Sequence, residues 1–179
     1  VTAIPKRSHR FLLEFEISPG VTTQIYARKA GKPSFEIGQT EHKFLGQTYY
    51  YPGAITWGDV SVTLVNSATP DFDLAVQVLL QASGWENPDN ISNTGNVDRG
   101  STINKVDATS AIGEVIIKEI EGQGDPAPIV IGHWLLENAW VKSVSFSDLD
   151  YASEDLMTVD VTFRYDWAKY GSGNPILGV

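Results

Sequence analysis

Cysteine is missing from all 179 residues, and there is a single methionine, Met157. The first absence excludes a disulfide scaffold, a thiolate zinc site, an iron–sulfur cluster and a thiol nucleophile. No apolar run approaches the ~18 residues of a membrane span, and the first residues lack the apolar stretch of a secretory signal. The expectation is a chain that does not insert into a membrane and has no export route. Histidine is scarce, and His9, His42 and His133 lie far apart, in neither HxH nor HExxH spacing. There is no P-loop, no GxSxG elbow and no GxGxxG turn. No catalytic, cofactor-binding or metal-binding set is therefore expected from these motifs.

Basic residues are also sparse, 13 Lys and Arg against 22 Asp and Glu, for a net charge of −9. They are unevenly spread. Residues 1–50 carry seven basic and four acidic side chains, and residues 51–179 carry six and eighteen. An acidic body argues against gripping nucleic acid by counterion release. It reads either as a solvated acidic surface with a basic arm, or as a molecule with complementary ends suited to head-to-tail association. Hydrophobic residues at 42% and charged residues at 20% are ordinary for a folded domain. The length suits one domain over 1–179.

Alternation with a period of two dominates. In residues 10–17, Phe11, Leu13, Phe15 and Ile17 share one face, with Glu14 and Glu16 opposite. Ser18-Pro19-Gly20 breaks the run, and a short strand is expected near Gln24–Arg28. Ser34–Gln39, Gln47–Tyr51 and Thr56–Asn66 read as extended, with Pro52-Gly53 between the last two. Strands are also expected over Ile112–Ile120, within 134–147 and over 157–167. In the last, Met157, Val159, Val161, Phe163, Tyr165 and Trp167 share a face. One helix is expected after Thr69-Pro70-Asp71, with Gly84 as its left-handed cap. Residues 85–110 read as a long surface loop, and 171–179 as a C-terminal tail. The fold class expected is α+β, mainly β: an antiparallel sandwich or barrel-like domain with one principal flanking helix.

Three local features invite chemistry. Asp148-Leu-Asp150-Tyr-Ala-Ser-Glu154-Asp155 opens like a calcium loop, but Ala152 occupies the next ligand position and no turn glycine follows. A solvated hairpin turn is the simpler reading; its carboxylates would otherwise be the hydrolase candidates. Asn90-Ile-Ser92 fits a glycosylation pattern that means little without secretion. Tyr49-Tyr50-Tyr51 places either two rings in a core and one outside, or a contact surface. A monomeric β-barrel binding a small ligand or glycan, with Trp85 and Tyr151 as platform, is the alternative of another class.

Four stretches in order carry a resemblance. They are Phe11-Leu-Leu-Glu-Phe-Glu-Ile17, Pro52-Gly-Ala-Ile-Thr-Trp-Gly-Asp-Val-Ser-Val-Thr-Leu-Val-Asn66, Trp134-Leu-Leu-Glu-Asn-Ala-Trp-Val-Lys-Ser-Val-Ser-Phe146 and Leu156-Met-Thr-Val-Asp-Val-Thr-Phe-Arg-Tyr-Asp-Trp167. Their order and spacing over most of residues 10–170 resemble the tail tube proteins of contractile-tailed bacteriophages. The same fold serves type VI secretion and phage-derived injection particles. The resemblance implies a structural subunit of the virion tail, assembled in the host cytoplasm. Six copies would form a ring by joining sheets side by side, and rings would stack into a hollow tube. Its partners would be the sheath, tape measure, baseplate and tail terminator proteins, with DNA passing through without specific binding. The alternative is the inner tube of an injection device that delivers proteins.

On that resemblance, the wet side of the strands lines the bore: Asp59, Ser61, Thr63, Ser143, Ser145, Thr158, Asp160 and Thr162. Arg164 is then the only basic residue on that face in the last strand, and Lys142 falls off the serine face. Such a wall would be short, hydrated and mildly acidic, repelling phosphate. Phe35–Tyr51 occupies the place of a long loop or hairpin that, in the family it resembles, reaches the neighbouring ring, with Lys43, Phe44, Tyr49 and Tyr50 as expected stacking contacts.

Overall fold

The computed structural model describes residues 6–18, 21–25, 27–66, 72–86, 102–121, 128–151 and 154–173. The elements in chain order are β1 (Phe11–Ser18), β2 (Val21–Ile25), β3 (Ala27–Ala30), β4 (Phe35–Phe44), β5 (Gln47–Trp57) and β6 (Val60–Val65). Then come α1 (Phe72–Ala82), α2 (Lys105–Ile112), β7 (Val115–Ile120), β8 (Val130–Glu137), β9 (Trp140–Phe146), β10 (Thr158–Arg164) and β11 (Trp167–Ser172). A five-stranded sheet has the order β11-β8-β7-β1-β2, and a four-stranded sheet has β3-β6-β10-β9. The pairing between strands is antiparallel throughout. The fold class is therefore the α+β, mainly β architecture expected from the sequence.

One core lies between the two sheets. Leu13, Val115, Ile117 and Leu136 come from the five-stranded sheet, and Val60, Val62, Leu64, Val159, Val161 and Phe163 from the other. Alternation in β6 and β10 does this directly, since every second residue is apolar and buried. Phe15 meets Phe163 edge-on at 5.6 Å across the gap, a favoured aromatic geometry. Phe72 and Leu79 of α1, with Ala111 and Ile112 of α2, complete the core.

The helix ends follow ordinary capping chemistry. After α1, Gly84 takes φ +98°, its N–H donates to the Gln81 carbonyl, and the Trp85 N–H donates to the Leu80 carbonyl. That is the paired pattern of a left-handed C-terminal cap. The expected N-terminal signal at Thr69–Asp71 lies outside the described residues.

Four expectations change. The stretch read as a loop over 85–110 contains α2 from Lys105 onward, and Ile112 ends that helix rather than opening a strand. Its cap is legible afterwards: the Asn104 side chain accepts from the Asp107 N–H at 2.9 Å, and Gly113 follows. What hid it was a short apolar stripe of Ala108, Ala111 and Ile112, too small to register as a period. Second, Pro52-Gly53 does not end a strand; β4 and β5 form one long hairpin, and the pair lies in a bulge of β5, between Pro52 and Ile55, opposite Ile37 and Gln39. Third, three stretches read as single extended runs each cross from one sheet to the other. Gln24–Arg28 divides between β2 and β3, 134–147 between β8 and β9, and 157–167 between β10 and β11. Trp167 thus pairs with Glu137 in the five-stranded sheet and is exposed rather than core. Fourth, Gly171 and Ser172 belong to β11 and not to a tail.

Two of those crossings are fastened together. The Asp166 N–H donates to the Glu137 carbonyl at 3.0 Å. Its carboxylate accepts from the Asn138 side chain at 2.9 Å and from both directions of the Lys105 ammonium at 2.7 Å. Asn138 itself sits at φ +53°, a region Asn tolerates better than most residues.

Phe163 is wholly buried at the contact between sheets. Phe163→Ala should destabilise the fold by about 3–5 kcal/mol in urea unfolding. A loss below about 1 kcal/mol would mean that the sheets do not share this core.

Candidate functional site

The outer side of the four-stranded sheet is a continuous polar face. Residues directly opposite one another in a ladder project to the same side. Lys29, Thr63, Asp160 and Ser145 form one row across β3, β6, β10 and β9. Ser61, Thr162 and Ser143 form the next. Thr63 Oγ1 donates to Asp160 Oδ1 at 2.5 Å, and the Ser61 and Thr162 hydroxyls lie 3.3 Å apart. Thr158 lies beyond them at the other end of β10, and Asp59 just before β6. All eight residues expected to share the wet side are thus brought together there.

Two residues on this face were not foreseen. Lys142 falls on the core side if the Ser143–Ser145 alternation is extended backward. Instead the register steps from Ser143 to Val141 between Thr162 and Phe163, so Lys142 sits in a bulge and is exposed beside Ser143. A bulge is invisible to an alternation count. Lys142 Nζ reaches Asp59 Oδ2 at 2.6 Å, and Arg164 NH1 reaches Asp59 Oδ1 at 2.9 Å and the Trp57 carbonyl at 2.8 Å. Lys142, then Arg164, hold the Asp59 carboxyl below the usual range. Lys29 was missed because β3 had not been separated from β2. A face expected to be mildly acidic carries Lys29, Lys142 and Arg164 against Asp59 and Asp160.

The β4–β5 hairpin is the second surface. Apart from Trp57, every residue in its two strands is exposed. Its two-residue turn has positive φ at both Leu45 (+49°) and Gly46 (+77°), as a hairpin twisting with its strands requires. At its base, Phe35 packs on Trp57 at 5.3 Å, and Trp57 on the buried Tyr165 at 6.0 Å. The expected stacking residues separate by register. Phe44 and Tyr49 fall on one face with Gln47 and His42, while Lys43 and Tyr50 fall on the other with Thr48 and Glu41. All of Tyr49, Tyr50 and Tyr51 are exposed, so the core reading of that triplet does not hold.

The remaining candidates do not assemble a site. Asp148, Asp150, Glu154 and Asp155 lie on exposed chain between β9 and β10, not in a cleft. Tyr151 is fully exposed while Trp85 is half-buried. His133 Nδ1 bonds the Gly173 carbonyl at 2.8 Å, and His42 stands exposed on the hairpin. Among the described residues no three of His, Asp or Glu converge to hold a metal ion. Asn90 lies outside the described residues.

A third electrostatic feature joins the sheets. Glu119 of β7 bonds Lys32, which follows β3, and Lys6 of the N-terminal arm at 2.5 Å. Lys6 also donates to the Tyr170 hydroxyl at 2.9 Å. Burial works to raise the Glu119 carboxyl, and Lys32 with Lys6 outweighs it, leaving it below the ordinary range. Glu119 and Tyr170 together push the Lys6 ammonium up.

No protein-family model matches the sequence, and comparison with curated proteins finds no match. Solved structures do match. A chain of the anti-feeding prophage baseplate aligns over 96% of this chain and 98% of its own, with a TM-score of 0.62 at 15% identity. A chain of the sheath/tube terminator of an extracellular contractile injection system aligns over 96% and 100%, with a TM-score of 0.62 at 13% identity. One from the sheath–tube complex of such a system aligns over 94% and 92%, with a TM-score of 0.56 at 12% identity. This chain has the fold of contractile injection system components. At these identities the likeness concerns the fold, and it spans nearly all of each chain.

The sign of the pH dependence follows from the carboxyls. Asp59, Glu119 and Asp166 are all held below the ordinary range, Asp166 by Lys105 and then Asn138. Their contribution is complete above the unfolded value of about 4 and is lost as pH falls through the depressed folded values. The thermal midpoint should therefore drop as pH is lowered from about 5 towards 2, and Asp166→Asn should flatten part of that slope. An unchanged midpoint over that range would contradict these pairings.

Proposed function

We propose that this protein is a structural tube subunit of a contractile tail or injection machine, with the polar face of its four-stranded sheet lining a shared channel. The observation that carries this is the sheet itself. One side is sealed into the core, the other is a field of short hydroxyl side chains, and its two edge strands, β3 and β9, have no outer partner among the described residues. Four alternating antiparallel strands leave β3 and β9 running in opposite directions. Joining β9 of one copy to β3 of the next therefore continues the antiparallel order without a break. Repetition removes every exposed edge, which is otherwise an aggregation hazard. A closed ring is the finite form of such head-to-tail contacts. We take the ring to be hexameric, by resemblance to the tail tube family.

The hairpin supports stacking. An isolated two-stranded ribbon is marginal in water, yet this one extends from the body with Phe44, Leu45, Tyr49 and Tyr50 exposed. A neighbouring ring is its natural support. The partners of such a tube are a sheath, a tape measure, a terminator and a baseplate, and its place is the virion tail after assembly in the host cytoplasm. DNA is the cargo in this reading. A second reading, the inner tube of a phage-derived particle that delivers proteins, is favoured by the similar chains, which come from such systems.

Purified protein should form rings or tubes by negative-stain electron microscopy. Since the chain has no cysteine, Ser145→Cys gives a unique label. In assembled tubes it should react with a small maleimide and be shielded from a bulky one. Equal reaction with both would place that face outside. Phe44→Ser with Tyr50→Ser should shorten or abolish tubes while leaving subunit stability within about 0.5 kcal/mol, as for exposed positions. Full-length tubes from that variant would remove the hairpin from stacking.

A further inference from the structure

The polar face is more cationic than the body around it. Lys29 stands in the row with Thr63 and Asp160, and Arg28 is exposed in the neighbouring bulge of β3. At the other edge, the bulge in β9 turns Lys142 out beside Arg164. One carboxylate, Asp59, is shared between those two cations at 2.6 Å and 2.9 Å. A single negative charge between two positive ones leaves that trio with net positive charge. It also fixes the spacing of the ammonium and the guanidinium, which are otherwise long flexible groups. Asp160, the other acid, accepts from the Thr63 hydroxyl in the row that also holds Lys29, so Lys29, Lys142 and Arg164 stand against Asp59 and Asp160.

Around the cations lie the hydroxyls of Ser61, Thr162, Ser143 and Ser145. Lys, Arg, Ser and Thr are the side chains that hold phosphate oxygens. Among the described residues the face presents no exposed aromatic ring on which bases could stack; Trp140, opposite Arg164, is half-buried against the core. Nor does it offer the apolar centre that a folded protein partner would need. The chain as a whole is strongly acidic, which sets this face apart from most of the surface, although the N-terminal arm also carries Lys6, Arg7 and Arg10.

We infer that this face is a phosphate-backbone track. Lys142 and Arg164, held side by side by Asp59, act with Lys29 across the sheet to hold successive phosphates of a nucleic acid strand against the hydroxyl rows, without reading its sequence. Contacts of this kind exchange ions readily, so the strand is retained and still slides. This reverses the repelling wall expected on the resemblance. It gives the DNA cargo of the channel proposed above a definite contact with the wall, and it rests on that proposal's placement of this face.

The test uses the full chain, a labelled single-stranded oligonucleotide and fluorescence anisotropy over a salt series. Wild type should bind, with affinity falling as salt rises. Lys29→Gln with Lys142→Gln removes two cations and keeps the Asp59–Arg164 pair. That variant should bind more weakly, with a log–log salt slope shallower by about 1.4, two contacts at ~0.7 each. Unchanged affinity and slope would overturn the track. So would poly-glutamate binding as tightly as the oligonucleotide, which would point to acidic protein cargo. The maleimide experiment on Ser145→Cys tubes keeps the two ideas apart. Shielded tubes with unaltered oligonucleotide binding in the double variant would refute the track alone. Unshielded tubes would refute the bore, whatever the oligonucleotide does.

Discussion

The physical constraint under everything else is the pleat of the four-stranded sheet. Val60, Val62 and Leu64, with Val159, Val161 and Phe163, must turn towards the other sheet to escape water. Because side chains alternate, the same backbone then has no choice about the intervening positions. Ser61, Thr63, Asp160 and Thr162 are committed to the opposite side by the burial of their neighbours. The wet face is thus a by-product of the dry one, and its regularity is as firm as the core. A one-residue slip would exchange the two, which makes the register costly to lose.

What could be read from the sequence follows from this. Alternation in β6 and β10 gave the core side of this sheet and five of the wet-face positions, Ser61, Thr63, Thr158, Asp160 and Thr162, and alternation in β9 gave Ser143 and Ser145, because those signals are local and repeat every second residue. It failed wherever the ladder is irregular. Lys142 was assigned to the wrong side because a bulge changes parity without changing composition. Trp167 continues the alternation of β10 in sequence yet belongs to the other sheet, because the chain turns at Asp166. Helix α2 was hidden since two alanines and one isoleucine suffice to bury it. The four residues expected to make stacking contacts all lie on the hairpin, but their division between two faces needed the register.

The crossings show how a two-sheet body is kept from sliding apart. Asp166 gathers the turn after β8, the turn before β11 and the first residue of α2 through Glu137, Asn138 and Lys105. Glu119 does a related job elsewhere, joining β7 to the segment after β3 and to the N-terminal arm. The Asp166 pair is exposed and individually weak, whereas the Glu119 carboxylate is buried and its two lysines offset the cost of burying it. The value of both here is geometric: each ties segments that are distant in sequence and that belong to different layers. The hydrophobic core sets how closely the sheets approach, and these polar ties fix which segments meet at their margins.

The turn at the end of the β4–β5 hairpin has a consequence of its own. Leu45 adopts a left-handed backbone that asparagine or glycine would accept with less strain, and its side chain is 85% exposed. Nothing within the subunit repays either the twist or the wet isobutyl group. A change to asparagine would relax the loop and erase its greasy point in a single step. If the tip docks on a neighbouring ring as proposed, the local preference of the chain and the use of the tip pull in opposite directions, and the residue present sides with use. Measured alone, the subunit should look better made with asparagine there; measured as a polymer, it should look worse.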